Sequence, residues 1–218
     1  KVAYPDVVFE TIASRVPGRE AALDIGCGNG VSTYRLQPLF DYVEGSDFGA
    51  SLIDKARQTY PGITFGVSPA EDYTSTRQFD AVTCATAFYW MDRDAVLRKM
   101  ETLLKPSGVF CAYKYDFPIA YGPLRDFFER ELSLKWYVHR DPRLTRYDDT
   151  LERIHASKVF GEAERVVLFH ISELTPREVA MFFLSTSYVT KYMDQAGGAE
   201  YADELLRKVA EIENAPSV

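Results

Sequence analysis

The sequence predicts an α/β fold, a doubly wound and mostly parallel sheet of Rossmann-like type, on three observations. A short apolar run, Ala21-Ala22-Leu23-Asp24-Ile25, passes straight into glycines at alternate positions, Gly26-Cys27-Gly28-Asn29-Gly30. A second short strand, Tyr42 to Asp47, ends in an acid 23 residues beyond Asp24. Apolar runs then alternate with helical spacing as far as Tyr115, the pattern of strands joined by crossover helices.

The glycines let backbone approach a ligand where side chains would collide. Val31, Tyr34 and Leu36 follow at helical spacing, so the turn lies between a strand and a helix, where nucleotides bind. A glycine turn alone could hold no ligand, and the downstream acid decides against that. Asp47 stands close to the spacing of roughly 20 residues at which a carboxylate reaches a ribose diol, whose two hydroxyl hydrogens it can accept. The spacing is Gly-x-Gly-x-Gly, and no Arg or Lys lies between Gly26 and Val31 to meet a diphosphate, which disfavours a nicotinamide dinucleotide.

The run from Leu23 to Gly30 resembles the first motif of class I S-adenosylmethionine-dependent methyltransferases. Gly45-Ser46-Asp47 with Leu52, Ile53 and Ala56 resembles the second motif, Ala70-Glu71-Asp72 the third, and Phe79-Asp80-Ala81-Val82 with Phe88-Tyr89-Trp90 the fourth. Leu103-Leu104-Lys105-Pro106-Ser107-Gly108-Val109 is also similar to the family. The likeness covers about residues 4 to 116. It implies the methyltransferase fold, S-adenosyl-L-methionine as cofactor and S-adenosyl-L-homocysteine as product. It puts Asp24, Gly26, Cys27, Gly28, Asn29 and Gly30 on the methionine and backbone side, Asp47 and Phe48 at the ribose, Ala70 and Glu71 at the adenine, and Ala85 at the edge facing the methionine. The usual Gly-Asp pair before that Ala is Ser68-Pro69 here, which leaves Glu71 or Asp72 as the adenine acid.

Taken in order, Val8, Ile12 and Val16 mark a helix from near Pro5 to before Pro17-Gly18. Gly49 to Tyr60 reads as a helix, Ile63 to Val67 as the third strand and Phe79 to Ala85 as the fourth. Asp92 to Leu104 is helical, Lys105 to Gly108 a turn, and Val109 to Tyr115 the fifth strand. From residue 116 to 163 the alternation pauses. Leu124, Phe127, Phe128 and Leu132 make an amphipathic helix, and an insertion at this point is expected to form a helical substrate cap within a single domain, 1–218. Val166 to Ile171 reads as a sixth strand, Thr175-Pro176 as a capped helix start, and Tyr201 to Ile212 as a last helix. The family's seventh strand has no counterpart in Asn214 to Val218, so either the C-terminus is incomplete or the sheet lacks that strand; the first residue, Lys1, is expected to lie inside a longer sequence.

Substrate and catalytic candidates lie above the carboxyl ends of the strands, where ligands of such sheets bind. Tyr89-Trp90 stands where many relatives have His-Trp; a phenol orients a substrate but rarely deprotonates near neutral pH. Of the histidines His139, His155 and His170, His139 is the candidate base. Trp90, Tyr115, Arg140 and Arg143, with Arg146 in the same series, are candidates for substrate contact. The arginines read either as a solvated loop or as a fork for a carboxylate or phosphate. Ser187 and Tyr188 fall in a serine-rich stretch that looks like one some small-molecule methyltransferases place beside substrate.

The net charge of −7 argues against a nucleic acid partner. No run of about 18 apolar residues predicts a membrane span, and the oligomeric state is open. Cys27, Cys84 and Cys111 are odd in number and form no Cys-x-x-Cys pair, which predicts no metal and a reducing, cytoplasmic setting. The function expected is methyl transfer to a small molecule, with O-methylation of a carboxylate or phenol preferred. The alternatives are a protein that uses the cofactor without transferring its methyl and a non-catalytic interaction protein on the same fold.

Overall fold

The structure is a computed structural model that describes residues 4–115, 118–145, 148–196 and 198–214. The described residues fall into two compact units. A sheet unit runs to Tyr115 and takes in Tyr147–Phe169, and a helical unit is made from the residues between and after them.

In the sheet unit, α1 (Asp6–Arg15) leads into β1 (Ala21–Ile25), α2 (Val31–Leu36), β2 (Tyr42–Asp47), α3 (Ala50–Thr59) and β3 (Thr64–Val67). Then come β4 (Phe79–Ala85), a 3₁₀ turn (Phe88–Trp90), α4 (Arg93–Leu103) and β5 (Leu104–Tyr113). All pairings are parallel, in the order β3-β2-β1-β4-β5. Both faces are covered, which is why β1 and β4 are buried along their whole length and read as unbroken apolar runs. Alternate residues divide between the faces. Leu23, Ile25, Val82 and Cys84 pack with Val96, Leu97 and Met100 of α4. Ala22, Val43 and Ala81 pack with Phe9, Ile12, Leu36 and Ile53 of α1, α2 and α3. The chain reverses its direction of travel across the sheet between β1 and β4, and the crevice above such a switch point receives the ligand.

Two elements differ from the sequence expectation. The turn foreseen at Lys105–Gly108 is the first part of β5, because Leu104 already pairs with Phe79 and the register shifts before Ala81. Gly108 permits this approach, since a Cβ there would lie 2.8 Å from the Phe79 carbonyl oxygen. The sixth strand foreseen at Val166–Ile171 carries no ladder pairing, and its side chains are exposed, Phe169 by 91%. Its apolar sequence has the strand pattern, but a strand needs a neighbour to satisfy its backbone.

The returning segment of the sheet unit carries α7 (Thr150–Ser157), whose Ile154 packs on the α4 face. Arg93, buried at the start of α4, donates to Asp149 at 2.6 Å, and Arg153 pairs with both Asp149 and Asp94. The helical unit contains α5 (Arg125–Glu131), a π-helical turn (Leu132–Trp136), a 3₁₀ turn (Tyr137–His139), α6 (Pro142–Thr145), α8 (Pro176–Leu184), α9 (Ser187–Ala196) and α10 (Gly198–Glu213). Its core gathers Phe127, Phe128, Trp136, Phe183, Tyr201 and Leu205. The helix start read at Thr175-Pro176 is a full capping box, with the Thr175 hydroxyl accepting from the Glu178 amide and the Glu178 carboxylate accepting from the Thr175 amide.

Candidate functional site

The glycine turn is held open by its backbone. Gly26, Gly28 and Gly30 all have positive φ, at 65°, 56° and 81°. The Cys27 amide donates to the Ser46 carbonyl at the end of β2, and the Gly30 amide closes the turn on the Cys27 carbonyl. The glycines differ in what surrounds them. A Cβ on Gly26 would lie 2.6 Å from the Ala87 Cβ and 2.7 Å from the Met91 Cε, whereas one on Gly28 would meet nothing within 4 Å. Gly26 is thus required by the protein's own packing, and Gly28 borders open space.

Asp47 ends β2 beside this turn. One carboxylate oxygen accepts from the Gly28 amide at 2.9 Å and the other from the Gly49 amide at 2.8 Å. Each oxygen has a second lone pair, so both remain able to take a hydroxyl. Asp24 is wholly buried and caged by hydroxyls: Ser32 and Thr33 donate to one oxygen, Thr83 to the other. Burial raises its pKa, opposed by those three hydrogen bonds. Asp24 therefore ties α2 to β1 and β4 beneath the turn.

Cys27 is buried between the glycines, its thiol pushed up by burial, and Asn29 is partly exposed. Phe48 follows Asp47 with 78% of its surface exposed. Ala70 is buried, and Glu71 beside it accepts from the Asp92 amide at 2.7 Å. Ala85 closes β4 in register with Tyr113 of β5. Tyr89 and Trp90 stand on the turn after β4 with ring centroids 5.1 Å apart. Tyr115 follows β5, its ring 6.2 Å from that of Tyr4.

Three further hydroxyl residues, Thr86, Tyr4 and Tyr113, stand at this edge beside the site candidates. Thr86, directly after β4, holds φ at 51°, a conformation that costs a β-branched residue energy. Its hydroxyl is bonded to that of Tyr4 at 2.6 Å, and its amide donates to the Tyr113 carbonyl at 2.7 Å. The Tyr113 hydroxyl is buried without a hydrogen-bond partner among the described residues. Burial raises the pKa of Tyr4, Tyr113 and Tyr115 alike, which keeps these phenols protonated. No local pattern sets Tyr113 apart from the chain's other tyrosines, and the left-handed turn at Thr86 is recognised only once β4 has ended.

The remaining candidates belong to the helical unit. His139 lies on its 3₁₀ turn, 5.6 Å from the Tyr192 ring. Arg140 lies near the face of Tyr137, and Arg143 forks onto Asp141, holding that carboxyl down at about 2. Ser187 begins α9 and Tyr188 is buried in the helical core. Arg146 lies outside the described residues. Among the described residues, no group of acidic, His and Cys side chains could hold a metal ion.

Known proteins similar to this chain are methyltransferases. Residues 22–108 match a family described as a methyltransferase domain. A probable S-adenosylmethionine-dependent methyltransferase of Saccharomyces cerevisiae is 28% identical over 152 residues, covering 60% of this chain and 52% of that protein. The dTDP-4-amino-2,3,4,6-tetradeoxy-D-glucose N,N-dimethyltransferase of Saccharopolyspora spinosa is 23% identical over 206 residues, covering 89% and 78%. The trans-aconitate 2-methyltransferase of Methylobacterium radiotolerans is 29% identical over 110 residues, covering 48% and 42%. Apart from the amino-sugar enzyme, the chain thus spans about half the length of these relatives. Among solved structures, a candidate type II methyltransferase from Anaeromyxobacter dehalogenans superposes with a TM-score of 0.76 at 23% identity, over 99% of this chain and 91% of that one, a likeness of fold. With the motifs in order along β1 to β5 and the family match lying on the same strands, residues 22–108 are a methyltransferase domain, on the fold of the class I S-adenosylmethionine-dependent methyltransferases.

Proposed function

We propose that the chain transfers the methyl group of S-adenosyl-L-methionine to a small-molecule acceptor. The observation that carries this reading is the pairing of the Gly28 amide with the Asp47 carboxylate beside the open space at Gly28. That arrangement fits an adenosine: Asp47 accepts from the ribose hydroxyls, Gly28 admits the ligand, and Phe48 offers an exposed ring beside it. Ala70 and Glu71 lie on the adenine side, and the methionine side falls to Gly26, Gly28, Gly30 and Ala85, with Asp24 holding the turn from below.

Bound S-adenosylmethionine would supply a methyl already activated by its sulfonium charge. The protein's part is then to align the acceptor with that methyl and to exclude water. Burial keeps the phenols of Tyr4, Tyr113 and Tyr115 protonated at neutral pH, so they do not serve as bases. Only His155, exposed on α7, represents histidine in the sheet unit. Both facts favour an acceptor that needs no base, a carboxylate or a phenolate, and so O-methylation. Tyr89, Trp90 and Tyr115 of the sheet unit would contact the acceptor. The acidic balance speaks for a small molecule over a nucleic acid, and the free cysteines fit a reducing cytoplasm. Among the described residues no helix is long and apolar enough to cross a membrane.

The test is incubation with methyl-labelled S-adenosylmethionine and a panel of carboxylic acids, phenols and amino sugars. Label in an acid or phenol supports the reading, and label in an amino sugar alone moves the acceptor atom to nitrogen. Cofactor binding with no transfer to any of them, and a different reaction of the panel, would favour use of the cofactor without methyl transfer.

A further inference from the structure

The N-terminus of α4 is capped by two residues from different parts of the chain. Asp92 is the cap residue, and its carboxylate accepts from the Ala95 amide at 3.0 Å. In a capping box the residue three positions on is Glu or Gln, and its side chain returns to take the cap residue's own amide. Glu178 does this for Thr175 on α8. On α4 that position is Ala95, which has no acceptor to return. The Asp92 amide is taken instead by Glu71 Oε1 at 2.7 Å, from a loop 21 positions upstream.

We propose that Glu71 is a positioning residue that completes this cap from a distance and so fixes the Phe88–Asp92 segment over the glycine turn. The segment is also held at Phe88 and Met91, and Asp92 is joined to α4 by its carbonyl, which accepts from the Val96 amide at 3.0 Å. Phe88 is buried with its ring 5.3 Å from that of Phe110, and Met91 lies against Gly26. Tyr89 and Trp90 are carried between these anchors, and the Asp92 bond closes the far side. Ala70, next to Glu71, is buried, so the tether joins the loop after β3 to the turn after β4. The two walls then move as one, and ligand binding against the first is transmitted to the second. This coupling rests on the reading of the site as a cofactor site, although the tether itself does not. An amide oxygen accepts the same backbone hydrogen, so Glu71→Gln retains the tether and Glu71→Ala loses it.

The experiment is iodide quenching of tryptophan fluorescence on the full chain, paired with calorimetric titration by S-adenosylhomocysteine. The chain has two tryptophans; Trp136 is wholly buried and Trp90 is 43% exposed, so quenching reads Trp90. Without ligand, Glu71→Ala is expected to raise the quenching constant about twofold, as loss of one charge-assisted hydrogen bond loosens the turn, while Glu71→Gln stays at the wild-type value. Protection of Trp90 by S-adenosylhomocysteine is expected to weaken in Glu71→Ala alone. Unchanged quenching in Glu71→Ala overturns the proposal. So does a loss of affinity of about tenfold or more with Trp90 unmoved, which would assign the acid to the adenine. If the wild type binds no S-adenosylhomocysteine, the cofactor reading fails, and the ligand-free quenching still decides the tether.

Discussion

The Gly28 amide donates to Asp47 Oδ2 at 2.9 Å, joining the turn after β1 to the acid that ends β2. Asp47→Asn keeps the size of the side chain but turns one acceptor into a donor. Affinity for S-adenosylhomocysteine is expected to fall by about tenfold or more, equivalent to about 1.4 kcal/mol. Calorimetry measures it, and thermal melting should place the variant within a few degrees of the wild type.

Gly28 and Gly26 should respond differently to alanine. Both have positive φ, which costs a non-glycine residue about 1–2 kcal/mol. Gly28→Ala adds a Cβ that touches no protein atom, so the chain folds and ligand affinity drops. Gly26→Ala drives a Cβ into Ala87 and Met91, so melting temperature falls further than for Gly28→Ala. Melting curves and titrations on the two variants separate a ligand contact from a packing contact.

Two acids of the sheet unit give opposite slopes of stability against pH. Burial raises Asp24 above its ordinary 3.8, so the folded chain keeps that proton longer than the unfolded one. Its contribution is greatest below 3.8 and is lost as pH rises through the elevated value, a slope that Asp24→Asn removes. Asp149 is held down at about 2, chiefly by the hydrogen bond from Arg93, with burial opposing and Arg153 assisting. Its contribution is present above 3.8 and is lost as pH falls toward 2, a slope that Asp149→Asn removes. Urea denaturation of the three proteins between pH 3 and pH 8, on the order of one point per unit, checks both signs.

In the helical unit the Trp136 indole donates to Tyr201 at 2.8 Å, and the Tyr201 hydroxyl donates to buried Glu131. Tyr201→Phe leaves both partners short of a bond, at a cost of about 1–3 kcal/mol. A lowered melting temperature with altered Trp136 emission is the expected result. Emission and stability both unchanged would mean that the network is not formed.

Elements whose identity is set by local pattern were legible in the sequence. The apolar run into Gly26, the acid at Asp47, and the Thr175-Pro176 helix start each specify their structure within a few residues. What was not legible depends on pairing at a distance. Val166–Ile171 has the composition of a strand, but composition does not provide the neighbouring edge. The pairing of buried Arg93 with Asp149 joins residues 56 positions apart, which no local pattern announces. The hydroxyls around Asp24, and those of Tyr4, Thr86 and Tyr113, come from elements separated along the chain, so no spacing announces them. Glu71 was visible only through the resemblance, as an acid at the motif it assigns to the adenine, and its bond to Asp92 was not, because a capping box is recognised locally and this one is divided.

Titration of the folded chain with S-adenosylhomocysteine tests the central claim most directly. The account predicts one site per chain with a dissociation constant on the order of micromolar, weakened in Asp47→Asn. A folded wild-type protein that gives no binding heat, and from which methyl-labelled S-adenosylmethionine is not retained on equilibrium dialysis, would contradict it.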